Sequence, residues 1–184
     1  MIEKELDAVK TLLEFIGEDP SRDGLIETPK RVLKAWKEIT EGYNQNPEEI
    51  LAKTFDVTSD EMIFVKNIRF HSTCEHHLLP FSGYATVAYI QKSRVVGLSK
   101  LARLVECFAK RLQVQERMTS QIADSIEQVL KAKGVGVMIE AHHSCMGCRG
   151  IKKEGATMVT SALRGCLKTE HDARAEFLTI ANSK

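Results

Sequence analysis

Residues 62–91 read MIFVKNIRFHSTCEHHLLPFSGYATVAYIQ. Two parts of this stretch, 62–70 and 83–91, are rich in β-branched and aromatic residues, which predicts two strands. The segment between them carries Cys74 and His77 and is predicted to be a turn. Consecutive strands joined by a short turn form a hairpin, so this stretch predicts an antiparallel sheet with cysteine and histidine at its tip.

Helical segments precede the hairpin. Apolar residues recur at helical spacing in residues 2–16, and a Thr28-Pro29 pair is typical of a helix start, with Thr28 as the cap. Asn46-Pro47 opens a short third helix. Residues 1–55 are therefore predicted to form an N-terminal helical region, and residues 56–184 a second domain.

Two more helices and further strands follow the hairpin. Ser99 is predicted to cap one helix, and Gly134 to end the other. Alternating or β-branched segments at 135–144, 157–160 and 176–180 are predicted as strands. The order of helices, hairpin, helix pair and strands predicts an α+β fold with an antiparallel sheet, rather than a series of βαβ units.

Composition narrows the classes of function. Of the 184 residues, 43% are hydrophobic, which is enough for a sizeable core, and the formal net charge is only +1. A nearly neutral chain gives no electrostatic reason to expect nucleic acid or membrane as a partner. The N-terminus lacks the pattern of a signal peptide, and five cysteines suit metal binding or catalysis in a reducing compartment. We expect a cytoplasmic protein.

Two clusters hold most of the thiol and imidazole groups, and they predict a zinc site. The first contains Cys74, His76 and His77, and the second contains His143 and Cys145. Thiolate and neutral imidazole are ligands that zinc prefers.

Spacing leaves two interpretations of this site open. Cys148 could complete a closed, structural site of four ligands. Alternatively, Cys74, His77 and Cys145 hold the ion and leave a position open for water. The surplus histidines and Glu75 favour the open, catalytic interpretation. If the strand at 135–144 continues, His143 and Cys145 project from one face.

Five segments together carry a resemblance to a known family, the GTP cyclohydrolase I family. In chain order they are residues 27–32 (ETPKRV), 72–81 (STCEHHLLPF), 96–103 (VGLSKLAR), 113–117 (QVQER), and 143–145 (HSC) followed by Arg149-Gly150. The resemblance extends from about residue 6 to residue 181.

This resemblance implies a reaction and an assembly. Enzymes of the family hydrolyse GTP at C8 of the imidazole ring, release formate and form 7,8-dihydroneopterin triphosphate, the first step of tetrahydrofolate or tetrahydropterin synthesis. Their fold is the tunnelling fold, an antiparallel sheet with a packed helix pair. They are usually toroidal homodecamers with active sites between subunits. Residues 56–184 would form the catalytic domain.

Roles carry over by position. The zinc ligands, one ion per subunit, are expected to be Cys74, His77 and Cys145. The expected catalytic residues are His76, His143 and Ser99. The expected substrate-binding residues are Glu116 at the guanine edge and Lys100, Arg103, Arg149 and Arg31 at the triphosphate, with Arg31 reaching from a neighbouring subunit.

Departures from the family pattern concern other positions. Leu112, Thr86 and Gln91 stand where the family often has proline, histidine and proline. Cys148 could be a fourth zinc ligand. The closed site therefore stays open as an alternative, and with it the hypothesis of a non-catalytic zinc module. A third hypothesis is a related enzyme acting on another pterin or purine, but phosphate-free substrates would not need Lys100 and Arg103.

Overall fold

The computed structural model describes residues 2–57 and 61–183. The chain divides into two compact units, Met1–Glu41 and Gly42–Lys184. The division into an N-terminal helical region, residues 1–55, and a catalytic domain, residues 56–184, stays a prediction.

The first unit is a pair of packed helices, α1 (Ile2–Phe15) and α2 (Thr28–Ile39). Pro29 lies in the first turn of α2, where its missing N–H costs nothing. The prediction that Thr28 caps this helix is wrong, because Glu27 occupies the capping position and no side chain caps the helix. Thr28 is already helical, and its hydroxyl donates to the Gly24 carbonyl at 3.3 Å.

The second unit holds a five-stranded sheet in the order β5-β2-β3-β6-β7. Its strands are β2 (Met62–Cys74), β3 (Pro80–Ile90), β5 (Leu112–Gln113), β6 (Gly134–His143) and β7 (Met158–Gly165). The other elements are a 3-10 helix (Glu41–Asn44), α3 (Pro47–Leu51), β1 (Thr54–Asp56), β4 (Arg94–Val96), α4 (Leu98–Ala109), α5 (Gln115–Leu130), α6 (Ser144–Gly147), α7 (Cys166–Thr169) and α8 (His171–Asn182). The hairpin of β2 and β3 is confirmed. All pairings in the large sheet are antiparallel except the short one between β2 and β5.

Both faces of the sheet are covered, which explains why β6 is apolar on both sides. On one face Val135, Val137 and Ile139 are fully buried in the core that includes α4 and α5. On the other face Met138 packs with Phe177 of α8. A helix pair therefore lies on one face and the C-terminal helices on the other. The predicted α+β fold, an antiparallel sheet with a packed helix pair, is confirmed.

The predicted closing strand at 176–180 is wrong, because these residues belong to α8. The apolar run Phe177-Leu178 suggested a strand, but the preceding Ala, Arg and Glu residues favour a helix. One helical face then buries Phe177 completely and stacks its ring on Phe64, with centroids 6.0 Å apart.

Three element ends also differ from prediction. Gly97, not Ser99, is the N-cap of α4, and no side chain caps it. Helix α5 ends at Leu130, and the capping residue Lys131 adopts a left-handed conformation, so Gly134 is the start of β6 rather than a helix stop. Strand β6 ends at His143, and Cys145 lies in α6. None of the described helices is long and apolar enough to cross a membrane.

Candidate active site

A cavity of about 450 Å³ opens where β2, β5 and β6 end and α5 begins. Its lining includes side chains from the two cysteine–histidine clusters: Cys74, His76, His77, His143 and Cys145. Residues 113–116 and residues 156–158, where β7 begins, also line it. Strand ends and a helix start thus converge on one hollow, as ligand sites commonly do.

A tight turn brings Cys74 and His77 together. Cys74 is the last residue of β2, and its N–H donates to the Leu79 carbonyl at 2.9 Å. The Leu78 N–H returns a bond of 2.9 Å to the Cys74 carbonyl, and Leu78 takes a positive φ of 56°. These bonds close the turn, so the predicted turn between the two strands is confirmed.

Cys145 reaches the same point from the second cluster. Because β6 stops at His143 and a single helical turn follows, the chain changes direction before Cys145. The predicted strand does not continue to Cys145, yet the ligand atoms of Cys74, His77 and Cys145 lie within 4.8 Å of one another. Cys148, at the end of α6, is exposed and outside this group. The donor group has three members, as in the open interpretation.

The chemistry of these donors fits zinc. Burial and the nearby Cys74 thiol raise the pKa of Cys145, while the positive charge of Arg149 opposes the rise. Two thiolates side by side need a cation between them, and binding of a metal deprotonates both. Two thiolates and one imidazole leave a fourth tetrahedral position open, which is the composition of a catalytic zinc site.

An ion pair supports the ligand-bearing turn. The Glu75 carboxylate pairs with the Arg117 guanidinium, and this hydrogen bond holds the pKa of Glu75 below its usual value. The Glu75 N–H also donates to the Gln113 carbonyl at 3.1 Å. Arg117 in turn donates to the carbonyl oxygen of Leu112 at 3.1 Å. Glu75 therefore anchors the turn to the start of α5, and it is not a member of the donor group.

His143 is held on two sides at the cavity wall. Its ring stacks on Phe81, with centroids 4.4 Å apart and planes 6° apart. Its Nε2 lies 2.8 Å from the side-chain oxygen of Gln115. Burial lowers the pKa of His143, and the negative charge of Glu116 partly opposes that effect. His143 therefore has a defined orientation in surroundings that disfavour its charged form, as suits a group that moves protons.

Glu116 and His76 present polar groups to the same cavity. Glu116 lies in the first turn of α5 and is exposed. His76 lies in the turn, is exposed, and meets His77 edge to face with centroids 6.4 Å apart. A free carboxylate can accept two N–H donors from a planar ring, and a nearby imidazole can exchange protons with it.

The residues expected to bind the triphosphate lie on different elements of the structure. Arg149 lies close enough to Cys145 for its charge to oppose the rise in that thiol's pKa. Lys100 and Arg103 line a second cavity of about 530 Å³, beside Asn46 and Glu49. The linings of the two cavities have no residue in common. Ser99 is exposed on α4, and Arg31 is exposed in the first unit.

Comparison with known proteins identifies the family. A sequence profile of GTP cyclohydrolase I matches residues 6–182. The chain belongs to the GTP cyclohydrolase I family. The resemblance noted in the sequence is thereby confirmed, and membership makes the chain an enzyme, a hydrolase that acts on GTP.

Individual relatives agree with the GTP cyclohydrolase I profile. The chain is 53% identical to GTP cyclohydrolase 1 of Campylobacter jejuni subsp. jejuni over 184 residues, covering 100% of this chain and 97% of the relative. It is 53% identical to GTP cyclohydrolase 1 of Brucella suis over 175 residues, 94% of this chain and 82% of the relative. A crystal structure of the archaeosine synthase QueF-Like in the apo form is 15% identical to this chain. Its match has a TM-score of 0.47 and covers 59% of this chain and 97% of the other chain.

Sequence reasoning passed over two residues in this GTP cyclohydrolase I site. Gln115 and Arg117 lie in the Gln113–Arg117 segment, but only Glu116 received a role from it. Their partners, His143 and Glu75, are 28 and 42 residues away in the chain. In the sequence, Gln115 and Arg117 are visible only as an amide and a guanidinium on either side of Glu116. That pattern does not predict which distant residues they contact.

Proposed function

We propose that this enzyme hydrolyses the imidazole ring of GTP at C8 in a zinc-dependent reaction. Formate leaves, and the opened product closes again as 7,8-dihydroneopterin triphosphate, the first step of tetrahydrofolate or pterin synthesis. One observation carries this proposal. The cysteine–histidine donor group, the half-buried His143 and the exposed carboxylate of Glu116 all line one cavity.

Each residue at the cavity has a task that suits its chemistry. Cys74, His77 and Cys145 hold the zinc. When bound there, zinc supplies Lewis-acid chemistry that activates water for attack on a ring carbon. Glu116 accepts hydrogen bonds from N1–H and N2–H₂ of guanine. A carboxylate suits this edge because each of its two oxygens can accept one of these bonds.

Proton transfer falls to the histidines. His143 is oriented by Phe81 and Gln115, so its ring does not have to be immobilised during the reaction. His76 is exposed in the turn and is the second candidate for proton exchange at the purine. Ring opening at C8 requires protonation of a leaving nitrogen, and these imidazoles are within the same cavity.

The triphosphate site is proposed to lie between subunits of a homo-oligomer, a toroidal decamer. Lys100, Arg103 and Arg149 provide positive charge for a polyanion, with Ser99 beside Lys100 and with Arg31 from a neighbouring subunit. Support comes from the separation of the two cavities, because a chain that holds zinc in one and phosphate cations in another can use a second copy to join them. The five free cysteines suit the cytoplasm.

The test is to incubate zinc-loaded protein with GTP and to follow dihydropterin absorbance and formate together. Both products appearing in equal amounts is the expected result. Formate without the pterin would remove the rearrangement from the proposal. Intact GTP with a fully zinc-loaded oligomer would overturn it.

A further inference from the structure

Gln115 is a buried residue whose side-chain nitrogen and oxygen both have hydrogen-bond partners. Only 1% of the residue is exposed. Its nitrogen lies 3.1 Å from the Ile139 carbonyl, 3.0 Å from the Met158 carbonyl and 3.1 Å from the Thr160 hydroxyl. Its oxygen lies 2.8 Å from Nε2 of His143. The side chain thus joins the first residue of α5 to β6 and β7.

The hydrogen-bonding groups around Gln115 are compatible with only one orientation of its side-chain amide. Backbone carbonyls only accept, so the amide nitrogen must face Ile139 and Met158. The Thr119 hydroxyl donates to the Gln115 backbone carbonyl at 2.7 Å, so the hydroxyl of Thr160, 2.7 Å away, must donate to Thr119. The Thr160 oxygen can then also accept from the amide nitrogen, sharing one of its two hydrogens with a carbonyl oxygen. With the amide turned round, its oxygen would face two carbonyl oxygens.

The amide orientation determines the tautomer of His143. The Gln115 oxygen can only accept, so the hydrogen of this bond must sit on Nε2 of His143. In the neutral ring, Nδ1 is then the basic nitrogen. Stacking on Phe81 fixes the plane of the same ring. A hydrogen bond from one ring nitrogen is the usual way in which proteins select which nitrogen carries out chemistry.

We propose that Gln115 is a positioning residue that holds His143 in the Nε2–H tautomer and presents Nδ1 as its proton acceptor. Gln115 is buried and its four polar contacts are all within the protein, so we expect it to act through His143 rather than on the substrate directly. Its effect on the reaction rests on the proposed function, through His143. Its effect on the tautomer is a property of the folded chain alone.

The tautomer is measured first, on the zinc-loaded, full-length protein with ¹⁵N-labelled histidine. At about pH 8.5, where an imidazole is neutral, ring nitrogen shifts distinguish a protonated from a bare nitrogen. The difference between the wild-type and His143→Ala spectra assigns the ring. We expect a protonated Nε2 and a bare Nδ1. A protonated Nδ1, or an equal mixture of the two tautomers, would overturn the proposal without any Gln115 variant.

Kinetics then test the consequence. Gln115→Met keeps the length of the side chain but cannot accept the hydrogen bond. We expect kcat to fall about 10-fold while KM for GTP changes little, because a misplaced acid–base group affects the transition state more than substrate binding. In a His143→Ala background the same change should have no further effect on kcat. An equal loss in both backgrounds would show that Gln115 acts through the fold and not through His143.

Arg164→Met is the matched control. Arg164 of β7 also bonds to α5, donating to Asp124 at 2.7 Å, so its loss weakens the same pair of elements away from His143. We expect a lower melting temperature but a kcat within about twofold of wild type. A comparable fall in kcat would overturn the assignment. If wild-type protein failed to turn over GTP, the proposed function would fail, while the spectrum would still decide the tautomer.

Discussion

At the scale of single residues, neighbours decide which of several similar side chains does chemistry. Cys145 and Cys148 are three positions apart, yet only Cys145 lies with Cys74 and His77. His142 and His143 are adjacent, but His142 is exposed near the Ala156 carbonyl, while His143 is held between Phe81 and Gln115. One turn of helix and the alternation of a strand make these distinctions.

Replacing Cys145 by serine should abolish stoichiometric zinc binding, because an open site with two remaining ligands holds the ion weakly. Cys148→Ser is the matched control and should keep one zinc per chain. Metal analysis of both purified variants checks this, and X-ray absorption of the wild type should show two sulfur ligands. Three sulfurs, or zinc lost from the Cys148 variant, would restore the closed site.

His143→Ala should leave zinc content and folding unchanged and reduce turnover of GTP by about 10²-fold or more, the contribution of an acid–base group. Its ring contributes to the cavity wall but not to the donor group. Steady-state formate release, normalised to bound zinc, measures the effect. A rate equal to that of wild type would remove His143 from the reaction.

At the scale of elements, the site depends on how the β2–β3 turn is attached to α5. Backbone bonds shape the turn, but its attachment uses the Glu75–Arg117 pair and the bond from Glu75 N–H to Gln113. Glu116 follows directly on this segment. The pair therefore sets the spacing between the zinc donors and the carboxylate proposed to bind guanine.

Glu75→Gln should weaken zinc affinity by about 10-fold, the scale for groups that orient metal ligands. Overall stability should change little, since both side chains are partly exposed. Competition with a chelator measures the affinity. The control is Glu18→Gln, which removes an exposed pair with Arg22 in the first unit and should leave zinc affinity unchanged. Equal affinity in the two variants would contradict the role of Glu75.

At the scale of the whole molecule, the proposed site is larger than one cavity. The donor group, Glu116 and His143 line one cavity, whereas Lys100 and Arg103 line another. A guanine and a triphosphate belong to one substrate, so both halves must meet at one place. Two copies of the chain satisfy this requirement if each supplies one half.

Mixing two inactive variants tests this arrangement. One chain carries His143→Ala and the other Lys100→Ala with Arg103→Ala. After co-refolding in equal amounts, about one quarter of composite sites should contain two intact halves and regain activity. The control is each variant refolded alone, which should stay inactive. Absence of activity in a mixed oligomer of normal size would place both halves within one chain.

The sequence alone determined the local features of this protein. Alternating and β-branched residues predicted the β2–β3 hairpin, and Cys74 with His77 was placed on its turn. The spaced motifs then identified the GTP cyclohydrolase I family, because five segments in order are specific in a way that one is not. Local patterns failed at 176–180, where an apolar run suits a strand or a buried helix face equally.

Only the tertiary structure decided which distant groups meet. Cys145 joins Cys74 and His77 although the strand does not continue to it, and Gln115 meets His143 across 28 residues. Tertiary packing also left Cys148 outside the donor group and separated Lys100 from the zinc donors. The physical reason is that periodicity reports the face on which a side chain lies, whereas hydrogen-bond partners and shared ligands depend on where the sheet and helices bring separate segments together.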